Sequence, residues 1–146
     1  MAASHILLVE DNPDDEELTL LSLRKHDLAS EIVVARDGVE ALDYLFGEGR
    51  YAGRDVALMP MVVLLDLKLP RLDGLGVLKR LREDVRTRHV PVVVLTSSSQ
   101  DADIVKSYQL GANSYIRKPV EFGELTDTVS KVGLYWMTLN RSPTGN

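Results

Sequence analysis

The chain has 146 residues, 17 basic and 22 acidic side chains, a net charge of −5, 45% hydrophobic residues and no cysteine. That length suits one domain with a sizeable core, and the missing cysteines exclude disulfides, thiolate metal sites and cysteine nucleophiles. The negative balance argues against a general nucleic-acid or anionic-membrane binder, and no apolar run approaches the ~18 residues of a membrane helix.

His5–Val9 is a short apolar run that reads as a strand. Asn12-Pro13 then reads as a cap followed by proline in the first turn of a helix. Asp14, Asp15, Glu16 and Glu17 lie near that helix's positive end, where acids are favoured, and read as a solvated helix start. Leu18, Leu21 and the stem of Lys25 mark its inward face as far as His26. Glu31–Ala35 is the second strand. Asp37-Gly38 opens a second helix with Ala41, Leu42 and Leu45 inward, ending near Gly47, and Gly47–Pro60 is a loop. Met61–Leu65 is the third strand, followed by a helix from about Gly74 to Asp84 on Leu75, Leu78 and Leu81. Val90–Leu95 is the fourth strand. Ser98 and Asp101 have capping-box spacing before a helix on Ile104, Val105 and Tyr108. Asn113–Ile116 is the fifth strand, and Phe122, Leu125, Val129, Val132 and Trp136 form the stripe of a last helix.

Val62–Leu65 and Val92–Leu95 are apolar at every position, the pattern of strands covered on both faces in a parallel sheet. Strands alternating with helices predict five βα units in one α/β domain over 1–140, with 141–146 as a frayed tail. Function in such a sheet sits beyond the carboxyl ends of the strands. Glu10 and Asp11 follow the first strand, Asp66 the third, Thr96 and Ser97 the fourth, and Lys118-Pro119 the fifth. Clustered carboxylates repel one another unless a cation joins them, and a hard divalent ion such as Mg²⁺ is their natural partner. A lysine and a hydroxyl add donors that suit an anionic group, so the chemistry points to phosphoryl transfer onto an aspartate. Repulsion within the cluster further predicts that Asp66→Ala stabilises the metal-free protein. Gly47-Glu48-Gly49-Arg50-Tyr51-Ala52 loosely fits a dinucleotide fingerprint, but it follows a helix instead of a strand and is set aside. No P-loop or nucleophile-elbow sequence is present.

Leu-Leu-Val-Glu-Asp-Asn at 7–12, Leu-Leu-Asp-Leu-Lys-Leu-Pro-Arg-Leu-Asp-Gly at 64–74, Val-Leu-Thr-Ser at 94–97 and Tyr-Ile-Arg-Lys-Pro at 115–119 resemble the receiver domain of two-component response regulators. The resemblance covers essentially the whole chain. It implies a flavodoxin-like, doubly wound (βα)5 fold with a five-stranded parallel sheet in the order 2-1-3-4-5, and a cytoplasmic protein. It further implies that Asp66 accepts a phosphoryl group from a phosphohistidine on a sensor histidine kinase. Asp11, Asp66 and the backbone carbonyl of Lys68 would hold Mg²⁺, with Glu10 binding through water. Lys118 would pair with phosphoryl oxygens, Thr96 would hydrogen-bond one of them, and Tyr115 would be the switch aromatic. Lys118-Pro119 would be a cis peptide aiming the ammonium inward. Glu10 stands where many members have Asp, and Ser97 where a smaller residue is common.

The 47–60 segment and the C-terminal extension are similar to those of single-domain regulators serving bacterial phytochrome-type kinases. In that extension Trp136 continues the inward stripe while Tyr135, Met137 and Leu139 fall on other faces. The expected cover is a homodimer through the last helix and neighbouring strand, with Tyr135, Trp136 and Met137 at its interface. A phosphorelay carrier, passing its phosphoryl group to a histidine-phosphotransfer protein, is the alternative function. An aspartate-nucleophile phosphatase is disfavoured because no cap domain is evident.

Overall fold

Five parallel strands form one sheet in the order β2-β1-β3-β4-β5 in the computed structural model, which describes residues 5–27 and 31–141. The strands are β1 (His5–Val9), β2 (Glu31–Ala35), β3 (Val62–Leu65), β4 (Val92–Thr96) and β5 (Ser114–Arg117). Between and after them run α1 (Pro13–Lys25), α2 (Gly38–Phe46), α3 (Gly74–Glu83), α4 (Asp101–Gln109) and α5 (Phe122–Leu134). The flavodoxin-like (βα)5 architecture and strand order expected from the sequence are therefore present.

Continuous apolar runs are explained by cover on both sides of the sheet. Alternate residues of β1 point to opposite faces: Leu7 and Val9 pack with Leu45 of α2 and Leu78 of α3, while Ile6 and Leu8 pack with Leu23 of α1 and Val129 of α5. Burying one such leucine side chain is worth about 1.5–3 kcal/mol. Helix starts follow the sequence signals. The Asn12 side chain accepts from the amides of Asp14 and Asp15, Asp37 caps α2 through Glu40 N at 2.7 Å, and Asp73 caps α3 through Gly76 N at 2.8 Å.

Several inward assignments need correction. Leu21 is 63% exposed; α1 instead buries Thr19, Ser22 and Leu23. The Ser22 hydroxyl donates to Thr126 O at 2.7 Å, a polar contact between α1 and α5 beside the core that Leu23 enters and the expected Leu18 packs against. Phe122 at the start of α5 lies outward. Val105 and Tyr108 also face solvent, because α4 lies beside the edge strand β5 and buries only Ser107. The Ser98–Asp101 capping box does not form: Gln100 is the N-cap residue and its side chain makes no cap bond, while the Ser98 hydroxyl bonds the Asp103 carboxylate.

The loop after α2 holds a 3-10 turn at Gly49–Tyr51 and is pinned by Arg54, whose guanidinium donates to Tyr44 O and Leu58 O and lies 4.1 Å from the Tyr44 ring centre. At the other end, α5 runs into a π-helical turn, Tyr135–Leu139, closed by Asn140 N donating to Tyr135 O at 2.7 Å. Of the expected tail, Arg141 carries no regular structure and 142–146 lie outside the described residues. Among the described residues no helix is long and apolar enough to cross a membrane.

Candidate functional site

The parallel ladder continues one residue past β1, β3 and β5, and that places the polar residues together. Glu10 N donates to Ala35 O at 2.9 Å, Asp66 N to Val9 O at 3.1 Å, and Lys118 N to Thr96 O at 2.7 Å. Glu10, Asp66, Thr96 and Lys118 thus leave the sheet at one carboxyl edge with buried side chains, beside the exposed Asp11. Gly74 keeps this edge free to pack on α3: a Cβ there would stand 2.2 Å from Asp66 O.

Lys118 is the hub. Its Nζ donates to Glu10 Oε1 at 2.6 Å, Asp66 Oδ2 at 2.9 Å and Asp15 Oδ2 at 2.9 Å, which accounts for all three of its hydrogens. The other Asp66 oxygen, Oδ1, accepts from Thr96 Oγ1 at 2.8 Å and from the Lys68 amide at 3.2 Å. The second Glu10 oxygen accepts from the Asn12 amide at 3.2 Å.

The buried acids respond in opposite directions. Burial pushes Glu10 up to about 7 from its ordinary 4.5, although the hydrogen bond and charge of Lys118 pull it back. Burial would raise Asp66 as well, but Lys118 and Thr96 together hold it below the usual carboxylate range. Burial works against the Lys118 charge, yet its bonds to Asp66, Glu10 and Asp15 raise its pKa and keep it ionised. Of the two buried acids, Glu10 is therefore the weaker and Asp66 the one held ionised. Asp66 adds to the rise of Glu10, the repulsion expected within the cluster, but it also accepts from Lys118 and Thr96, so removing Asp66 takes away these bonds along with the repulsion.

One oxygen each from Glu10, Asp11 and Asp66 lie within 4.8 Å of one another, a set of hard oxygen donors able to hold a divalent cation. Lys68 contributes its amide to Asp66 and exposes its side chain. The Tyr115 hydroxyl donates to Ser98 O at 2.9 Å, tying half-buried Tyr115 to the loop after β4. The Lys118–Pro119 peptide is trans, not cis. Trans is the favoured X–Pro isomer, and the flexible four-carbon stem brings the ammonium to its carboxylates from that backbone.

Of the tail residues, Met137 belongs to the core beside α5, so this chain itself covers the side chain expected at an interface. Met137 lies in the π-helical turn, four residues after the buried Gly133. Trp136 is half-buried and meets Tyr135 edge-on at 5.1 Å, and Tyr135 remains exposed.

Asp15 is the site residue that the sequence hid. Helical side chains tilt toward the N-terminus, so an acid in the first turn of α1 leans back over the edge from which α1 departs. The usable signal is its distance of three residues from the capping Asn12.

These features define a doubly wound α/β domain with a carboxylate–ammonium–hydroxyl site at the carboxyl edge of its sheet. Residues 6–130 match the response regulator receiver domain. The probable methanogenesis regulatory protein FilR2 of Methanothrix harundinacea is 43% identical over 94% of this chain and 86% of its own. The bacteriophytochrome response regulator AtBRR is 52% identical, with a TM-score of 0.75 over 97% of this chain and 100% of its own. The phosphorylated cyanobacterial phytochrome response regulator RcpA is 38% identical, with a TM-score of 0.90 over 97% and 99%. The chain belongs to the response regulator receiver family. The self-catalysed phosphoryl acceptance and dephosphorylation of that family is the chemistry this fold and site are consistent with.

Proposed function

We propose that this regulator is phosphorylated on Asp66 by a sensor histidine kinase of the phytochrome type and signals by the conformational change that follows. The setting of Asp66 carries the reading: a buried carboxylate with Thr96 and the Lys68 amide on one oxygen, Lys118 on the other, and Glu10 and Asp11 alongside.

Asp66, kept ionised by Lys118 and Thr96, attacks the phosphorus of the donor phosphohistidine. An O–P bond forms, the N–P bond breaks, and the electron pair stays on the imidazole nitrogen. Lys118 turns one N–H from Asp66 to a phosphoryl oxygen, and the Thr96 hydroxyl donates to another. Thr96 moving toward the phosphoryl group leaves room that Tyr115 fills, giving up its bond to Ser98 O. Asp11, Asp66 and the Lys68 carbonyl, with Glu10 through water, are suited to hold Mg²⁺, which when bound neutralises charge on the phosphoryl oxygens. Water later hydrolyses the acyl phosphate.

The phytochrome assignment is supported by likeness to AtBRR and RcpA along almost the whole chain. We read 1–140 as the receiver with its extended last helix, acting in the cytoplasm without nucleic acid. The apolar side chains of Leu134, Tyr135 and Leu139 are exposed and support a homodimer through the last helix and β5. A monomer by light scattering at micromolar concentration, with and without a phosphoryl analogue, overturns the dimer.

The test of function is phosphotransfer from purified, labelled phytochrome-type kinases and from unrelated kinases, with Asp66→Asn as control. Label on the wild type alone supports the acceptor, and equal label on Asp66→Asn refutes it. Transfer from unrelated kinases only refutes the phytochrome partnership. Onward passage to a histidine-phosphotransfer protein identifies a relay carrier.

A further inference from the structure

We propose that Asp15 is a positioning residue that competes with the phosphoryl group for the Lys118 ammonium and so limits how fast Asp66 is phosphorylated. The inference rests on Asp66 being the acceptor. It starts from a saturated donor: the Lys118 ammonium has three hydrogens, and Glu10, Asp66 and Asp15 accept all of them. When Asp66 becomes an acyl phosphate, the N–H directed at it passes to a phosphoryl oxygen. A second phosphoryl oxygen can be served only if another carboxylate lets go.

Glu10 is the poorer choice to release. Its contact with Lys118 is the shortest of the three, at 2.6 Å, and both side chains are almost fully buried. Asp15 keeps 26% of its side chain exposed, so water can solvate its carboxylate as the ammonium turns away. Its negative charge also opposes the incoming phosphoryl group across the same ammonium. Asp15 thus holds Lys118 ready in the resting protein and opposes its transfer to the phosphoryl group. Because Asp15 stands on the first turn of α1 while Lys118 follows β5, the same contact ties α1 to the far side of the site.

The test uses the full chain, acetyl phosphate as donor and saturating magnesium. Asp66 attacks phosphorus, the new O–P bond forms, the acetyl O–P bond breaks, and acetate leaves with the electron pair. Asp15→Asn, which keeps size but removes charge, is expected to accelerate acceptance about 2- to 5-fold, the scale of one partly exposed ion pair. Asp15→Glu, which restores the charge, is expected to return the rate toward the wild type. The Lys118 ammonium resonance in nitrogen-15 NMR is expected to move in Asp15→Asn before any phosphorylation.

Equal acceptance rates for wild type and Asp15→Asn overturn the proposal. So does a rate change that Asp15→Glu fails to reverse, or one that follows melting temperature while the Lys118 resonance stays fixed. Failure of the parent reading looks different: the wild type and Asp66→Asn would then take up label alike.

Discussion

Glu10→Gln should make the metal-free protein more stable at neutral pH, by an amount set by the cost of ionising Glu10 in the fold. Burial raises this carboxyl from 4.5 to about 7. Each unit is ~1.4 kcal/mol, so full ionisation costs the folded state about 3 kcal/mol. The sign follows from proton binding. Between pH 4.5 and about 7 the folded protein holds a proton that the unfolded chain has released, so stability falls as pH rises through that window. Below it the penalty is absent, and above it the penalty is complete. The glutamine side chain of the variant is neutral throughout and close in shape to the protonated acid.

Urea unfolding in chelator at pH 4.5 and pH 8, on wild type and variant, reads the difference directly. The variant's advantage should grow from under ~0.5 kcal/mol at the lower pH to about 3 kcal/mol at the higher, with unchanged m-values. An advantage equal at both pH values, or a wild type more stable at pH 8, would refute the reasoning. Adding magnesium should then stabilise the wild type more than the variant, because a cation favours the ionised carboxylate.

Other outcomes follow from the same contacts. Asp66→Ala should lower metal-free stability by about 1–3 kcal/mol at pH 7 in urea unfolding, since it leaves the buried Thr96 hydroxyl without its acceptor. Lys118→Met should cost about 3–5 kcal/mol, because Glu10 and Asp66 lose their shared cation, and low pH or magnesium should restore part of the loss. Gly74→Ala should destabilise by about 1–3 kcal/mol and weaken magnesium binding by calorimetry, because the new Cβ would press on the Asp66 carbonyl. Away from the site, Arg86 hydrogen bonds hold Asp84 at about 2 against an ordinary 3.8, a contribution present above 3.8 and lost as pH falls toward 2. Arg86→Ala should return the Asp84 titration toward 3.8 in carbon-13 NMR.

What could be read in the sequence depended on whether one neighbour or several decided the outcome. The central strands were legible because Val62–Leu65 and Val92–Leu95 leave no polar face, and only a sheet covered on both sides accepts that. The carboxyl-edge residues were legible because each lies at or just past the end of a strand run, Glu10 and Asp66 after continuous apolar ones. The inward face of α4 was legible only at half-buried Ile104: Val105 and Tyr108 are exposed, because α4 lies beside the edge strand β5, which offers little sheet to cover. Asp15 was hidden because the helix N-terminus alone suffices to explain an acid there. Met137 is expected on an outer face, yet it is buried in the π-helical turn that ends the last helix, a turn not anticipated from the sequence.

The opposite shifts of Glu10 and Asp66 bear most directly on function. Both are buried and both bond Lys118, yet Asp66 also accepts from the Thr96 hydroxyl and the Lys68 amide, while the second Glu10 oxygen has only the Asn12 amide at 3.2 Å. At Asp66 the bonds of Lys118 and Thr96 outweigh burial and lower its pKa, whereas at Glu10 burial dominates and raises it. A nucleophile must be ionised to attack phosphorus, whereas a carboxylate that approaches metal through water can hold a proton until the metal arrives. Glu10 is also the residue that departs from the commoner Asp, and its longer side chain reaches Lys118 at 2.6 Å. On our functional reading, binding a cation releases the Glu10 proton and leaves Asp66 ionised throughout. Calorimetry in two buffers of different ionisation enthalpy should therefore detect proton release on magnesium binding below pH 7, and Glu10→Gln should abolish it.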